Sequence, residues 1–135
     1  MRFFSTNHQS PWVDFREATI LGQAPDKGLY FPEHIPFDEP SYFQEIERFS
    51  NEEIAFRAIR PYTGDTIPEE VLFRIVSETV NFPIPLIRVT DSVYSLELFH
   101  GNTLAFKDIG ARFMSRCLGY FVQDMNRKVT VLVAT

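Results

Sequence analysis

A chain of 135 residues suits one domain, or a small domain joined to part of another, with roughly two thirds of its unfolded surface available for burial. Hydrophobic residues make up 44% and aromatic residues 15%, with fourteen phenylalanines, which excludes the disordered and fibrous classes. The net charge of −5 comes without a Lys/Arg block able to neutralise successive phosphates, so neither nucleic acid nor an anionic membrane surface is an expected partner.

Cys117 is the only cysteine; it excludes an intrachain disulfide and points to a reducing, cytoplasmic location. The N-terminal MRFFSTNHQSPW lacks the apolar core of a signal peptide, and the run Val129 to Ala134 is too short to cross a bilayer.

Along the chain, Asp14 is expected to cap a helix from Phe15 to Leu21 that stops at Gly22. Tyr42, Phe43, Ile46 and Phe49 fall at helical spacing. Ser50-Asn-Glu-Glu53 has the form of a capping box ahead of the stripe Ile54, Ala55, Ala58 and Ile59. Thr66-Ile-Pro-Glu69 repeats that form before Leu72, Ile75, Val76 and Val80. Residues 1–82 therefore read as a mostly helical domain.

The character changes at Asn81-Phe-Pro-Ile-Pro85. Pro83 to Val89 and Val93 to Phe99 are short β-branched-rich runs around Asp91-Ser92, and they predict two strands joined by a tight turn. A wide apolar face predicts a helix from Asp108 to Met125. Val129 to Ala134 then reads as a parallel strand buried on both faces. Strand, loop, helix and strand open an α/β unit, so residues 83–135 read as the beginning of an α/β domain, with Lys107 at the ligand-binding edge of its sheet. A chain that stops at a strand of this kind is expected to be a piece of a longer protein.

Lys107 is the odd lysine of three. Lys27 lies in the turn Pro25-Asp26-Lys27-Gly28 and Lys128 in the polar break Asn126-Arg127-Lys128, whereas Lys107 follows Leu104-Ala105-Phe106 at a predicted helix start. A lysine amine is a nucleophile only when neutral, and both burial against Leu104 and Phe106 and the positive end of a helix disfavour the ammonium. Such an amine suits Schiff-base chemistry with an aldehyde, most commonly pyridoxal phosphate. Gly101-Asn102 allows a tight turn, and Asn102 or Thr103 could offer a hydrogen bond at a pocket lip. The residue pattern by itself favours a lysine that extends to water and pairs with Asp108 or Glu97, with Asp108 as an N-cap or first-turn carboxylate.

Other candidates are weaker. His8, His34 and His100 have no metal-ligand spacing, so no metal is expected. Ser5 to Ser10 reads as a turn or cap, with anion binding as the alternative. Cys117 lies on an apolar helix face as a buried thiol. Gly110 and Gly119 are isolated, so the chain carries no complete phosphate cradle.

Leu98-Phe-His-Gly-Asn-Thr-Leu-Ala-Phe-Lys-Asp108, followed by Gly110-Ala-Arg-Phe113, resembles the cofactor-lysine motif of the threonine synthase family, L-F-H-G-P-T-x-A-F-K-D. Phe4-Ser5-Thr6 and Gly22-Gln-Ala-Pro-Asp-Lys-Gly-Leu-Tyr-Phe-Pro32 resemble two further family blocks, in family order. The resemblance implies the N-terminal helical layer and the first strands and helix of a tryptophan-synthase-β-like α/β fold, incomplete here. It also implies a pyridoxal-phosphate enzyme that converts O-phosphohomoserine and water into threonine and phosphate. Lys107 would be the Schiff-base residue, and Phe106 would lie against the cofactor.

Asn102 stands where the motif has proline, and Lys27 where the second block has glycine. The Ser-Gly-Asp-Thr-Gly loop and the Gly-rich phosphate loop of the family do not occur, so the piece alone is expected to be inactive. A related phospho-lyase is one alternative. The other is a non-catalytic module that self-associates through the strand Val129 to Ala134.

Overall fold

Asp14 accepts a hydrogen bond from the Glu17 amide at 2.8 Å and starts the first helix; Gly22, at φ 70°, ends it. The computed structural model to which these contacts belong describes residues 1–123, 125 and 129–131. In chain order its elements are β1 (Phe3–Ser5), α1 (Phe15–Leu21), β2 (Tyr30–Pro32), α2 (Pro40–Gln44), α3 (Asn51–Thr63), α4 (Glu69–Thr79), β3 (Leu86–Arg88), β4 (Tyr94–Leu96) and α5 (Asp108–Val122). Short 3-10 turns at Ile46–Arg48 and Gly64–Thr66 follow α2 and α3.

The capping box at Ser50 forms in full: the Glu53 amide donates to Ser50 Oγ at 3.2 Å, and the Ser50 amide donates to the Glu53 carboxylate at 2.8 Å. The box expected at Thr66 does not form. The Thr66 hydroxyl donates instead to the Thr63 carbonyl at 2.5 Å, and α4 begins after Pro68, whose ring already holds a helix-compatible φ. The helical spacing over residues 42–49 divides into α2 and a separate 3-10 turn at Glu45, whose φ of −115° leaves the α region.

The mostly helical reading of the first 82 residues overlooked β1 and β2. They pair antiparallel with Phe3 opposite Pro32, Phe4 opposite Phe31 and Ser5 opposite Tyr30. Three-residue strands carry too little alternation to show in a sequence. The two expected later strands do form, as β3 and β4, antiparallel with Ile87 opposite Ser95. Among the described residues no parallel pair occurs. The strand expected at Val129 to Ala134 lies in its second half outside the described residues, and Val129, Thr130 and Val131 carry no strand structure.

The core lies between α4 and α5. Leu72, Ile75 and Val76 of α4 meet Cys117 and Phe121 of α5, with Ile67 closing one end. These positions recur at the three- and four-residue steps of one helix face. α1 adds Phe15, whose ring is 6.3 Å from that of Phe113 and 6.0 Å from that of Phe121. α5 is thus wedged against both α1 and α4, and its N-terminal end is where Lys107 stands.

Candidate functional site

The segment between β4 and α5 is built around one carboxylate. Asp108, the first residue of α5, is 4% exposed. Its Oδ2 accepts the Thr103 amide at 2.9 Å, and its Oδ1 accepts the Thr103 hydroxyl. The hydroxyl and amide of Thr103, together with the positive charge of Arg112, hold the Asp108 carboxyl below the usual range against the opposing effect of burial. A methyl group on Gly101 would come within 2.3 Å of Asp108 Oδ2, so only glycine fits at that point of the loop.

Between these anchors, Leu104 adopts φ 57°, the left-handed region that costs a non-glycine residue about 1–2 kcal/mol. Its side chain recovers little of that cost by packing, because Leu104 is 76% and Phe106 65% exposed. The loop is closed by the Leu104 amide on the Gly101 carbonyl at 3.2 Å and the Asp108 amide on the Ala105 carbonyl at 3.1 Å.

Lys107 follows as the N-cap residue of α5, with φ −66° and ψ −14°, and is exposed. The expected burial against Leu104 and Phe106 does not occur, because both side chains face outward. Neither expected ion pair forms. Glu97 is taken by His100 Nε2 at 2.7 Å, and Asp108 is taken by Thr103. Thr103, expected at a pocket lip, is turned inward to the carboxylate instead. The amine stands at the positive end of a 15-residue helix.

α5 is fixed from the other side by arginines. Arg112 Nη2 donates to the Glu78 carbonyl at 2.7 Å and to Asn81 Oδ1 at 2.6 Å, and its guanidinium lies 5.4 Å from the centre of the Phe82 ring. Arg116 Nε donates to Glu78 Oε2 at 2.7 Å. The sequence reading missed Arg112; its four-residue step from Asp108 on the expected helix was the available signal.

The other two family-like blocks meet each other. Phe4-Ser5-Thr6 supplies β1, and the segment ending at Pro32 supplies the turn at Asp26 and β2. Asp26 Oδ1 accepts the Ser5 hydroxyl at 2.6 Å and the Gly28 amide at 3.0 Å, while Oδ2 accepts the Gln9 amide at 2.9 Å. Ser10 Oγ accepts the Asp26 amide at 3.1 Å. The Ser5 hydroxyl leads these donors in lowering the Asp26 carboxyl to about 2. The polar stretch Ser5 to Ser10 therefore binds an anion, but one that belongs to the chain itself. Lys27, where the family block has glycine, has φ 68°, the conformation that explains a glycine preference there.

A primary amine at a helix start can condense with an aldehyde, losing one water, which fits the covalent attachment of pyridoxal phosphate. Among the described residues, no glycine-rich loop offers the phosphate half of that cofactor a cradle. Gly110 and Gly119 face open space within α5 and shape no cradle. No described helix is long and apolar enough to cross a membrane.

These elements define a mixed helix-and-strand unit that presents a lysine at the start of its last described helix. The family described as "Threonine synthase N terminus" matches residues 2–80, and the chain belongs to that family. The threonine synthase of Escherichia coli (strain K12) is 34% identical over 135 residues, which cover all of this chain and 31% of that protein. The threonine synthase of Saccharomyces cerevisiae is 33% identical over 151 residues, covering 97% of this chain and 29% of that protein. A crystal structure of PLP-bound threonine synthase from Brucella melitensis superposes with TM-score 0.86 at 33% identity, over 91% of this chain and 28% of that one. The Escherichia coli threonine synthase structure superposes with TM-score 0.84 at 33% identity, over 92% of this chain and 29% of that one. The chain therefore spans under a third of the length of the relatives it matches.

Proposed function

We propose that this chain supplies the N-terminal part of a pyridoxal-phosphate-dependent threonine synthase, which converts O-phosphohomoserine and water into threonine and phosphate in the cytoplasm. Residues 1–82 would form its N-terminal domain and 83–135 the beginning of its cofactor domain. The observation that carries the reading is Lys107, an exposed amine at the start of α5 in a chain of this family. Bound pyridoxal phosphate supplies an electron sink for charge developing on the substrate carbons.

The chain's own part is narrower. Lys107 would hold the cofactor through its amine, and as a free amine it would be a base able to take and return a proton. Phe106, one residue earlier and exposed, is the side chain available to lie against the cofactor. Leu104 and Phe106 leave the amine open to water, so the excluded-water surroundings that nucleophilic lysines need must come from polypeptide packed over this apolar pair.

The test is borohydride reduction after incubation with pyridoxal phosphate, with the label mapped by mass spectrometry. In a folded chimera in which this chain replaces the matching segment of the Escherichia coli threonine synthase, label on Lys107 in preference to Lys27 is expected, and an equal or reversed distribution there overturns the assignment. For the reaction itself, the same folded chimera is expected to release phosphate from O-phosphohomoserine, and Lys107→Ala to abolish the release. A folded chimera whose release survives Lys107→Ala overturns the catalytic role.

A further inference from the structure

The loop from Gly101 to Lys107 is held in a costly shape by very little. Leu104 sits in the left-handed region with its side chain in solvent, and Phe106 is also largely exposed. Apolar packing therefore does little to fix them, and a strained exposed residue persists only where its surroundings over-determine it. Apart from two turn hydrogen bonds, the contacts that do so converge on Asp108. Thr103 gives the carboxylate both its amide and its hydroxyl, and Gly101 passes so close that no side chain fits. Asp108 in turn belongs to α5, which Arg112 and Arg116 tie to the end of α4.

We infer that Asp108 is a positioning residue: its buried carboxylate clasps Thr103 and sets where the loop delivers the Lys107 amine. Lys107 is the residue between the clasped loop and the fixed helix. A loosened clasp would let Leu104 relax to negative φ and swing the amine away from the helix end. The inference rests on the reading of Lys107 as the cofactor lysine and adds the groups that aim it.

Thr103→Val removes the clasping hydroxyl at nearly constant shape, and Thr103→Ser keeps it. Hydrogen exchange at the Leu104 and Asp108 amides should quicken by about tenfold or more in Thr103→Val, the scale of one hydrogen bond to a charged group. It should stay near the wild-type rate in Thr103→Ser. In the chimera with the Escherichia coli threonine synthase carrying the same substitutions, the ratio of borohydride-fixed pyridoxal phosphate on Lys107 to that on Lys27 should fall with Thr103→Val and be restored by Thr103→Ser.

Unchanged exchange in Thr103→Val overturns the clasp. Faster exchange with an unchanged label ratio leaves a structural contact only and overturns the positioning role. A folded chimera with Thr103 unchanged and no Lys107 preference overturns the cofactor-lysine reading, and the positioning role with it, whatever the exchange rates do.

Discussion

Leu72 is 0% exposed at the centre of the α4–α5 core, between Ile67 and Cys117 in the same cluster. Leu72→Ala removes roughly three carbon groups worth about 0.8 kcal/mol each in transfer, and the cavity left behind raises the loss to about 3–5 kcal/mol. With an unfolding entropy of about 2.1 cal/mol/K per residue over 135 residues, that loss lowers the thermal midpoint by about 10–18 °C. The assay is the far-UV circular dichroism melt, with Phe37→Ala as the matched control. Phe37 is 96% exposed, so removing this larger apolar side chain should leave the midpoint nearly unchanged. A Leu72→Ala shift under about 3 °C, or a Phe37→Ala shift as large as that of Leu72→Ala, refutes the assignment of the core.

Ser50→Ala removes the cap that the Glu53 amide uses and should cost about 1 kcal/mol, read as a lower urea midpoint at unchanged slope. Asp26 is held at about 2 against an ordinary 3.8, so its contribution to folding is fully present above 3.8 and is lost as the pH falls through about 2. Melts between pH 2 and 7 should therefore show an acid loss that Asp26→Asn reduces; an identical acid limb in the variant would count against the hydrogen bonds that Ser5, Gln9 and Gly28 give the Asp26 carboxylate. Burial pushes the Cys117 thiol up to about 12, so it should resist a disulfide reagent at pH 8 in the folded protein and react promptly in denaturant. Fast reaction of the native protein would contradict the packing of α5.

The local signals that proved legible act over one turn of helix or one turn of chain. Asp14 and Ser50 cap where expected because a cap satisfies amides two or three residues away and needs no tertiary partner. The apolar faces of α4 and α5 were readable because a 3.6-residue period repeats over three or more turns. Cys117 was placed in the core on that basis, and it is buried there. Thr66 misled because its hydroxyl had a nearer acceptor in the Thr63 carbonyl, a competition set by the 3-10 turn rather than by the motif.

The amino-acid sequence by itself determined the helix starts at Asp14, Ser50 and Asp108, the core faces of α4 and α5, the two strands around Asp91-Ser92, and, through three blocks of residues in order, the family. Only the tertiary structure decided what those blocks do to one another. It joined Ser5 to Asp26 across 21 residues and paired β1 with β2. It also turned Thr103 inward onto Asp108 and left Lys107 with neither of the carboxylates that its neighbours in sequence offered. The physical reason is that a carboxylate takes whichever donors the folded chain brings within about 3 Å of it, and no spacing along the chain names those donors in advance.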